Sequence, residues 1–543
     1  MTDRAWNRAT LLLFAGAAGL VLATFRDYGV TWDEHFHDTY GKAVLRHFQT
    51  GFSDPAALTY FNLWLYGAAF DVTAAVAKRL LPFPAHEVQH LMIALAGLAG
   101  AAAASRIGHL AGGPRAGFLA GLVLLVTPSW WGHMFVNPKD IPFAAAMAWA
   151  LYWSMRAALE LPRPAFGTML WLGLSLGLSL GIRVAGVYAF VYPAFAGALW
   201  LAMRVRARGP GGLVPEIAAA ARGFAVAAAL AYAVMLAAWP WALRDPLHRP
   251  IEALAVFAAT PWDINVLFDG HLVSSMALPR DYLLVYLGAK LPIFVLAAAL
   301  AALVAGLQAL RAGGISALRP HVALLAFAIL FPLASFAVLR PVTYDGIRHF
   351  LFVLPPLAAV AALGLDRLVA ASRGMPVVAR AALAAMAFAV GGSHALYLRE
   401  IHPYQYAYYN ALVGGMRGAA GRFELDYWGS SYREAALALR AHLATAAGGP
   451  RTVFVCAEGS SAAPFLAPEL ELTVDDRTAD FYIATTRLDC DQEYEGETVL
   501  TVARDGAVLA VVKDRRALKR DAPERLDAHP AASALVAPRH PGL

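Results

Sequence analysis

Charge is scarce in this chain: Asp, Glu, Lys and Arg make up 15% of 543 residues, against about a quarter in soluble domains. Hydrophobic residues reach 59% and mean hydropathy is +0.53. This excludes a soluble globular protein and leaves a polytopic membrane protein. Lysine is rarer still, 6 against 38 arginines, which together with the abundance of alanine points to a GC-rich bacterial genome. The only cysteines are Cys456 and Cys490, too few for a metal site without a neighbouring histidine pair. Whether they pair with each other stays open, because sequence separation does not give a Cα distance. No small-residue cleavage site precedes Arg26, so the first apolar run reads as a retained helix rather than a signal peptide. The net charge of +6 is spread over short connections and reports topology, not a nucleic-acid partner.

Measured against the ~20 residues that cross a bilayer, the apolar runs predict eleven helices. They lie near 8–25, 87–107, 114–131, 141–158, 167–184, 187–204, 219–240, 288–309, 321–339, 349–366 and 376–397. With a cytoplasmic N-terminus, every inner connection is short and carries at least two arginines, as in the pairs Arg4/Arg8, Arg106/Arg115, Arg156/Arg163 and Arg311/Arg319. Two outer connections are long, 26–86 and 241–287, and 60–81 reads as one amphipathic helix lying along the surface. Residues 1–400 form the membrane domain. Residues 401–514 read as a small extracytoplasmic α/β domain, with a helix over 432–447, strands over 452–457 and 480–486, and a hairpin around Asp505-Gly506. Residues 515–543 read as a disordered tail. The aromatic, glycine-rich stretch 402–431 suits an interfacial belt, or a lid that offers Glu424 and Asp426.

Acidic residues are nearly absent from the spans and gather at their outer mouths in three clusters. "TWDEHFHDTY" (31–40) holds Asp33, Glu34 and Asp38; "HMFVNPKDIPF" (133–143) holds Lys139 and Asp140; "RPVTYDGIRHF" (340–350) holds Tyr344, Asp345, Arg348 and His349. Turn formation, helix capping and snorkelling would each explain one cluster. Together they place carboxylates and cations from distant helices at one membrane–water boundary. A lipid phosphate there needs Lys or Arg donors, or a metal held by carboxylates. A hydroxyl attacking a sugar carbon needs a carboxylate base. Arg183, at the outer end of the fifth helix, is a further candidate for phosphate contact beside a snorkelling role. His35 and His37 fall on different faces of any helix through them, which disfavours joint metal ligation.

The Asp-Glu pair after the first helix, the second acid at the start of the fourth, the long outer loop before "LPRDYLLVYLGAKLP" (278–292) and the outer C-terminal domain resemble the GT-C membrane glycosyltransferases. Within them the chain is similar to the branch of protein O-mannosyltransferases and the lipid A aminoarabinose transferase, which depend on a phospholipid carrier. The resemblance covers 8–400 and implies a polyprenyl-phosphate-linked sugar donor, transfer on the outer face and inversion at the anomeric carbon. By it, Asp33, Glu34 and Asp140 are the catalytic acids, with Asp33 acting on the acceptor. Lys139, Arg183, Tyr344, Arg348 and His349 are the contacts to substrate and phosphate, and Asp33 with Asp140 could hold Mg or Mn. The stretch 402–431 has no counterpart in the protein mannosyltransferases, so the acceptor, whether lipid, glycan or protein, is left open.

The expectation is thus a multi-pass glycosyltransferase of a bacterial inner membrane, active on the periplasmic face. A transporter or flippase of an envelope precursor is the alternative. It would place ionisable groups or broken helices at mid-membrane and repeat its halves, and neither pattern is evident in the sequence.

Overall fold

The computed structural model describes residues 2–209, 211–259, 263–313, 319–444 and 451–521. Helices come first: α1 (Asp3–Thr24), α2 (Trp32–Gln49), α3 (Ala69–Leu80), α4 (Ala85–Gly112), α5 (Pro114–Leu125), α6 (Pro128–Val136), α7 (Asp140–Glu160), α8 (Phe166–Leu180), α9 (Val187–Arg208) and α10 (Val214–Ala238). After α11 (Pro240–Arg244), α12 (Arg249–Ala259) and a hairpin of β1 (Asn265–Phe268) and β2 (His271–Ser274) come α13 (Tyr282–Lys290), α14 (Ile293–Gly313), α15 (Pro320–Leu339), α16 (Leu354–Ser372) and α17 (Val377–Glu400). Each of the eleven expected spans falls on one of these helices or, for the third, on the pair α5 and α6. Among the described residues, eight helices are long and apolar enough to cross a membrane, or nine if α5 and α6, bent by 63° at Val126-Thr127, count as one span. The protein is a multi-pass α-helical membrane protein.

The bundle is organised around α7, whose residues Asp140 to Ala148 are all buried against α4, α8, α9 and α15. Ala144, Ala145, Ala146 and Ala148 keep its surface small, so neighbouring backbones come close without a hydrophobic driving force from water. At one end, Arg115 pairs with Asp366 and Arg204 with Glu216 (3.3 Å), joining the starts of α5 and α10 to the ends of α16 and α9.

The stretch 60–81 is not one helix. A 3-10 turn at Leu63–Leu65 precedes α3, and between them the backbone is captured by the bundle. Ala68 N donates to Ala238 O (2.8 Å) and Ala69 N to Gly181 O (3.0 Å). A Cβ on Gly67 would lie 2.1 Å from Gly181 O, so only glycine permits this approach.

At the other end sits a five-stranded sheet in the order β4-β3-β5-β7-β6, made of β3 (Arg451–Val455), β4 (Leu470–Leu472), β5 (Phe481–Thr485), β6 (Glu497–Arg504) and β7 (Ala507–Asp514). Helix Tyr432–Leu443 packs on β5, β6 and β7. The turn between β6 and β7 is Asp505-Gly506 with φ of 47° and 71°, the left-handed pair that matches strand twist. Its carboxylate accepts from Tyr397 Oη (2.7 Å) and Met416 N (2.9 Å), tying the hairpin to α17 and the segment beyond. Cys456 and Cys490 form a disulfide with Cα atoms 6.2 Å apart. A short helix, Arg516–Asp521, follows β7 where a tail without structure was expected; the rest of that tail lies outside the described residues.

The tyrosines of the stretch 402–431 are not an interfacial belt. Tyr404, Tyr406, Tyr409, Tyr427 and Trp428 are all buried between α6 and the sheet. A Cβ on Gly132 of α6 would lie 2.1 Å from Tyr406 N, so the segment is pressed onto the helix. Asp426 is consumed internally, by Tyr406 Oη and by the amides of Ser430 (3.1 Å) and Ser431 (2.8 Å).

Candidate active site

Each of the three polar clusters is delivered by a local device. α2 begins after Thr31, because Thr31-Trp32-Asp33-Glu34 is a capping box: Glu34 Oε1 accepts from Thr31 N (2.9 Å) and Thr31 Oγ1 (3.1 Å). Thr31 Oγ1 also lies 2.9 Å from Val136 O, fixing the helix start on α6. In the second cluster the Asn137 side chain holds the first residue of α7. Its Oδ1 accepts from Asp140 N (2.8 Å) and its Nδ2 donates to Asp140 Oδ2 (3.0 Å), which orients that carboxylate at the head of α7. In the third, Asp345 and Gly346 adopt φ of 58° and 68° and turn the chain into the 3-10 segment Arg348–Val353.

These devices converge on the Arg348 guanidinium. Its Nη1 lies 3.0 Å from Asp33 Oδ2 and 3.8 Å from Asp140 Oδ2, and its Nε lies 3.0 Å from Asp345 Oδ2. Lys139 Nζ is 3.7 Å from Asp33 Oδ2, and Arg183 pairs with Asp140 Oδ1. Tyr344 and Trp428 flank the guanidinium at 4.7 Å and 4.9 Å, and Lys139 sits over Tyr66 at 5.1 Å. His349 Nδ1 is 2.9 Å from Thr343 Oγ1, with its ring edge-on to Tyr344. Burial alone would raise the Asp33 pKa, but the fields of Lys139 and Arg348 outweigh it and hold the carboxyl well below its usual range.

Exposure separates the two acids. Asp33 keeps 25% of its side-chain surface, whereas Asp140, Asp345 and Arg348 keep 2–3%. Of these carboxylates, Asp33 is the one that is partly exposed. Lys139 (11%) and Arg183 (14%) are the partly open cations.

Glu34 stands apart from its sequence neighbour. It is buried, committed to the helix start through Oε1 and to His90 Nε2 (3.1 Å) through Oε2, so of the expected pair only Asp33 faces the charged cluster. The reason is helical geometry: adjacent positions point about 100° apart. Arg348 is likewise enclosed by three carboxylates rather than open to a phosphate. His37 pairs with Asp71 (3.0 Å) and Asp38 with Lys42 (2.7 Å) and Lys78 (2.6 Å), while His35 faces outward.

The donor set does not suit a divalent ion. Asp33 and Asp140 already face Arg348, Lys139 and Arg183, and a cation placed between them would meet positive charge on every side. Among the described residues, the other grouping with ligand-like spacing is Cys456, Cys490 and Glu493, whose sulfurs form the disulfide and offer no thiolate.

Sequence reasoning did not find four residues. Asp345 was visible in the third cluster, but its role as a bridge was not. Tyr66, Trp428 and Arg487 carry no local signal. Arg487 follows β5 in the C-terminal sheet, and its Nη2 lies 2.8 Å from Asp345 Oδ1.

No family model and no curated protein matches this sequence. Solved structures do. ArnT from Cupriavidus metallidurans bound to undecaprenyl phosphate superposes with a TM-score of 0.51 at 16% identity, over 92% of this chain and 97% of that one. Its apo form gives 0.50 at 15% over the same shares. The archaeal oligosaccharyltransferase AglB from Archaeoglobus fulgidus matches at 0.45 and 11% identity, over 88% of this chain and 69% of its own. The match to ArnT, over 92% of this chain, shows that the two share a fold, the GT-C fold.

Proposed function

We propose that the protein transfers a sugar, with inversion, from a polyprenyl-phosphate donor to a cell-envelope acceptor, using Asp33 to receive the acceptor's proton. The observation that carries this reading is a partly open carboxylate, Asp33, held among basic side chains at the end of a membrane bundle. The acceptor oxygen attacks the anomeric carbon while its proton passes to Asp33. The bond from that carbon to the phosphate oxygen breaks, and the leaving polyprenyl phosphate gains one negative charge. Lys139 and Arg183, the partly open cations, stabilise that charge.

The charge balance supports an anionic ligand. Lys139, Arg183, Arg348 and Arg487 face Asp33, Asp140 and Asp345. Burial raises the pKa of Glu424, which feels the charge of Arg487. Among those seven side chains the cations outnumber the carboxylates by one, and the phosphodiester of a lipid-linked sugar carries one negative charge. The undecaprenyl phosphate bound by ArnT supports the same ligand class. No step is assigned to a divalent ion. The arginine-rich short connections favour a bacterial inner membrane with this site on the periplasmic face.

The test is acceptor-dependent release of polyprenyl phosphate from a lipid-linked sugar by the purified protein in nanodiscs, with envelope lipid and glycan fractions as acceptors. Transport of intact donor across a proteoliposome membrane without sugar release would instead establish a flippase.

A further inference from the structure

Arg487 is a buried cation supplied by the C-terminal sheet, and it reaches the charged cluster from outside the membrane bundle. Its Nη2 holds Asp345 Oδ1 at 2.8 Å, Asp345 Oδ2 holds Arg348 Nε at 3.0 Å, and Arg348 Nη1 holds Asp33 Oδ2 at 3.0 Å. The same guanidinium lies 5.1 Å over the ring of Trp32, the residue before Asp33, and its Nη1 donates to Tyr427 O, next to the Trp428 that flanks Arg348. One side chain therefore touches what lies before, beneath and beside Asp33.

The loop bearing it is built to hold that pose. Leu488 and Asp489 both take left-handed φ, 54° and 57°, which turns the chain sharply after Arg487. The next residue, Cys490, is bonded to Cys456 at the end of β3. On the other side, Arg487 follows the fully buried strand β5. Nothing in the packing of the sheet itself calls for a guanidinium here. Its polar contacts run to the site and to the segment that walls it.

We propose that Arg487 is a positioning residue for transfer: by clamping Asp345 and Trp32 it fixes Arg348 and, through it, the orientation of the Asp33 carboxylate. The C-terminal domain is then part of the active site rather than an appendage. This rests on the glycosyltransferase reading above. It predicts an effect on the chemical step more than on donor binding, because the contacts of Arg487 run to Asp345, Trp32 and Tyr427 and reach the donor-facing cations Lys139 and Arg183 only indirectly, through Arg348 and the carboxylates.

The experiment is a double-mutant cycle in nanodiscs, with donor affinity and single-turnover transfer measured separately for Arg487→Gln, Asp33→Asn and the pair. Arg487→Gln is expected to slow transfer by about 10- to 100-fold and to change donor affinity by less than about 3-fold. In the Asp33→Asn background it should cost nothing further. Arg487→Lys, which can reach Asp345 but not also the Tyr427 carbonyl, should recover part of the rate. Additive losses, or a loss confined to thermal stability, would overturn the proposal. Should Arg487→Gln not fold, Asp345→Asn carries the same cycle and leaves the sheet untouched. Normal transfer by Asp33→Asn would instead bring down the underlying reading, a distinct outcome.

Discussion

Arg348 Nη1 lies 3.0 Å from Asp33 Oδ2 across 315 residues of sequence, so the partly exposed carboxylate is fixed by a side chain on another element. Asp33→Asn keeps the size and one acceptor of that contact and removes the basic charge. Arg348 retains Asp140 and Asp345 as partners, so folding and donor binding should persist. Single-turnover transfer should fall by at least ~100-fold, the usual contribution of a positioned base. Transfer within a few-fold of wild type would remove Asp33 from the chemistry.

The pH dependence follows from the same contact. Asp33 has a depressed pKa because Lys139 and Arg348 overcome its burial. Its carboxylate contribution to stability is therefore complete above the unfolded value, about 3.9, and is lost only as pH falls through the lower folded value. Between about pH 5 and about pH 8 Asp33 stays ionised, and the single-turnover rate should show no acid limb from it. An acid limb in that window that moves in Asp33→Glu would show that Asp33 titrates there.

Lys139→Ala and Arg183→Ala should each weaken binding of a polyprenyl-phosphate sugar by roughly 10- to 150-fold, since a charge-assisted bond to phosphate contributes ~1.5–3 kcal/mol. Arg183→Ala should also cost stability, because it leaves the buried Asp140 with Arg348, at 3.8 Å, as its remaining ion-pair partner beside the Asn137 amide. Equal donor affinity in both variants and wild type would place the phosphate elsewhere.

The apolar runs and the acids at their ends were legible because they rest on local signals, run length and carboxylates such as Asp33 and Asp140 that have no reason to lie in lipid, but the eleven expected crossings exceed the eight or nine helices that are long and apolar enough to span among the described residues. The capping box at Thr31 and Glu34 was equally legible, as Thr-x-x-Glu before a helix, and reading it would have placed Glu34 at the helix start, away from the charged cluster. Arg487, Trp428 and the bridging role of Asp345 were not legible. Each depends on a contact between distant segments, and an arginine after a strand looks the same whether it meets solvent or a buried carboxylate. The break at Gly67 escaped for a related reason: the amphipathic pattern of 60–81 is real, but backbone bonds to α8 and the end of α10 override it.

The disulfide closes a loop with a sequence separation of 34 around β4 and β5. Replacing both cysteines by serine should destabilise the C-terminal sheet by about 2–4 kcal/mol, read as earlier hydrogen exchange in β3 and β5 while α4 and α7 stay protected. Exchange unchanged in those strands would mean the bond adds nothing to the sheet.

Glu34 offers the sharpest contrast with Asp33, since the two are adjacent and both acidic. Glu34 is 3% exposed and both of its oxygens are engaged, one by the Thr31 amide and hydroxyl and one by His90. Glu34→Ala removes the cap, worth ~1 kcal/mol, and leaves His90 buried without this partner, a further ~1–3 kcal/mol. Glu34→Gln keeps the acceptor for Thr31 N and should lose less. The expected result is a lower thermal midpoint for Glu34→Ala, a smaller drop for Glu34→Gln, and transfer per folded molecule within a few-fold of wild type in both. Asp33→Asn should show the reverse, a near-normal midpoint with little transfer. If Glu34→Gln instead folds like wild type and loses transfer as Asp33→Asn does, the acid pair acts together and the separation argued from the capping box is wrong.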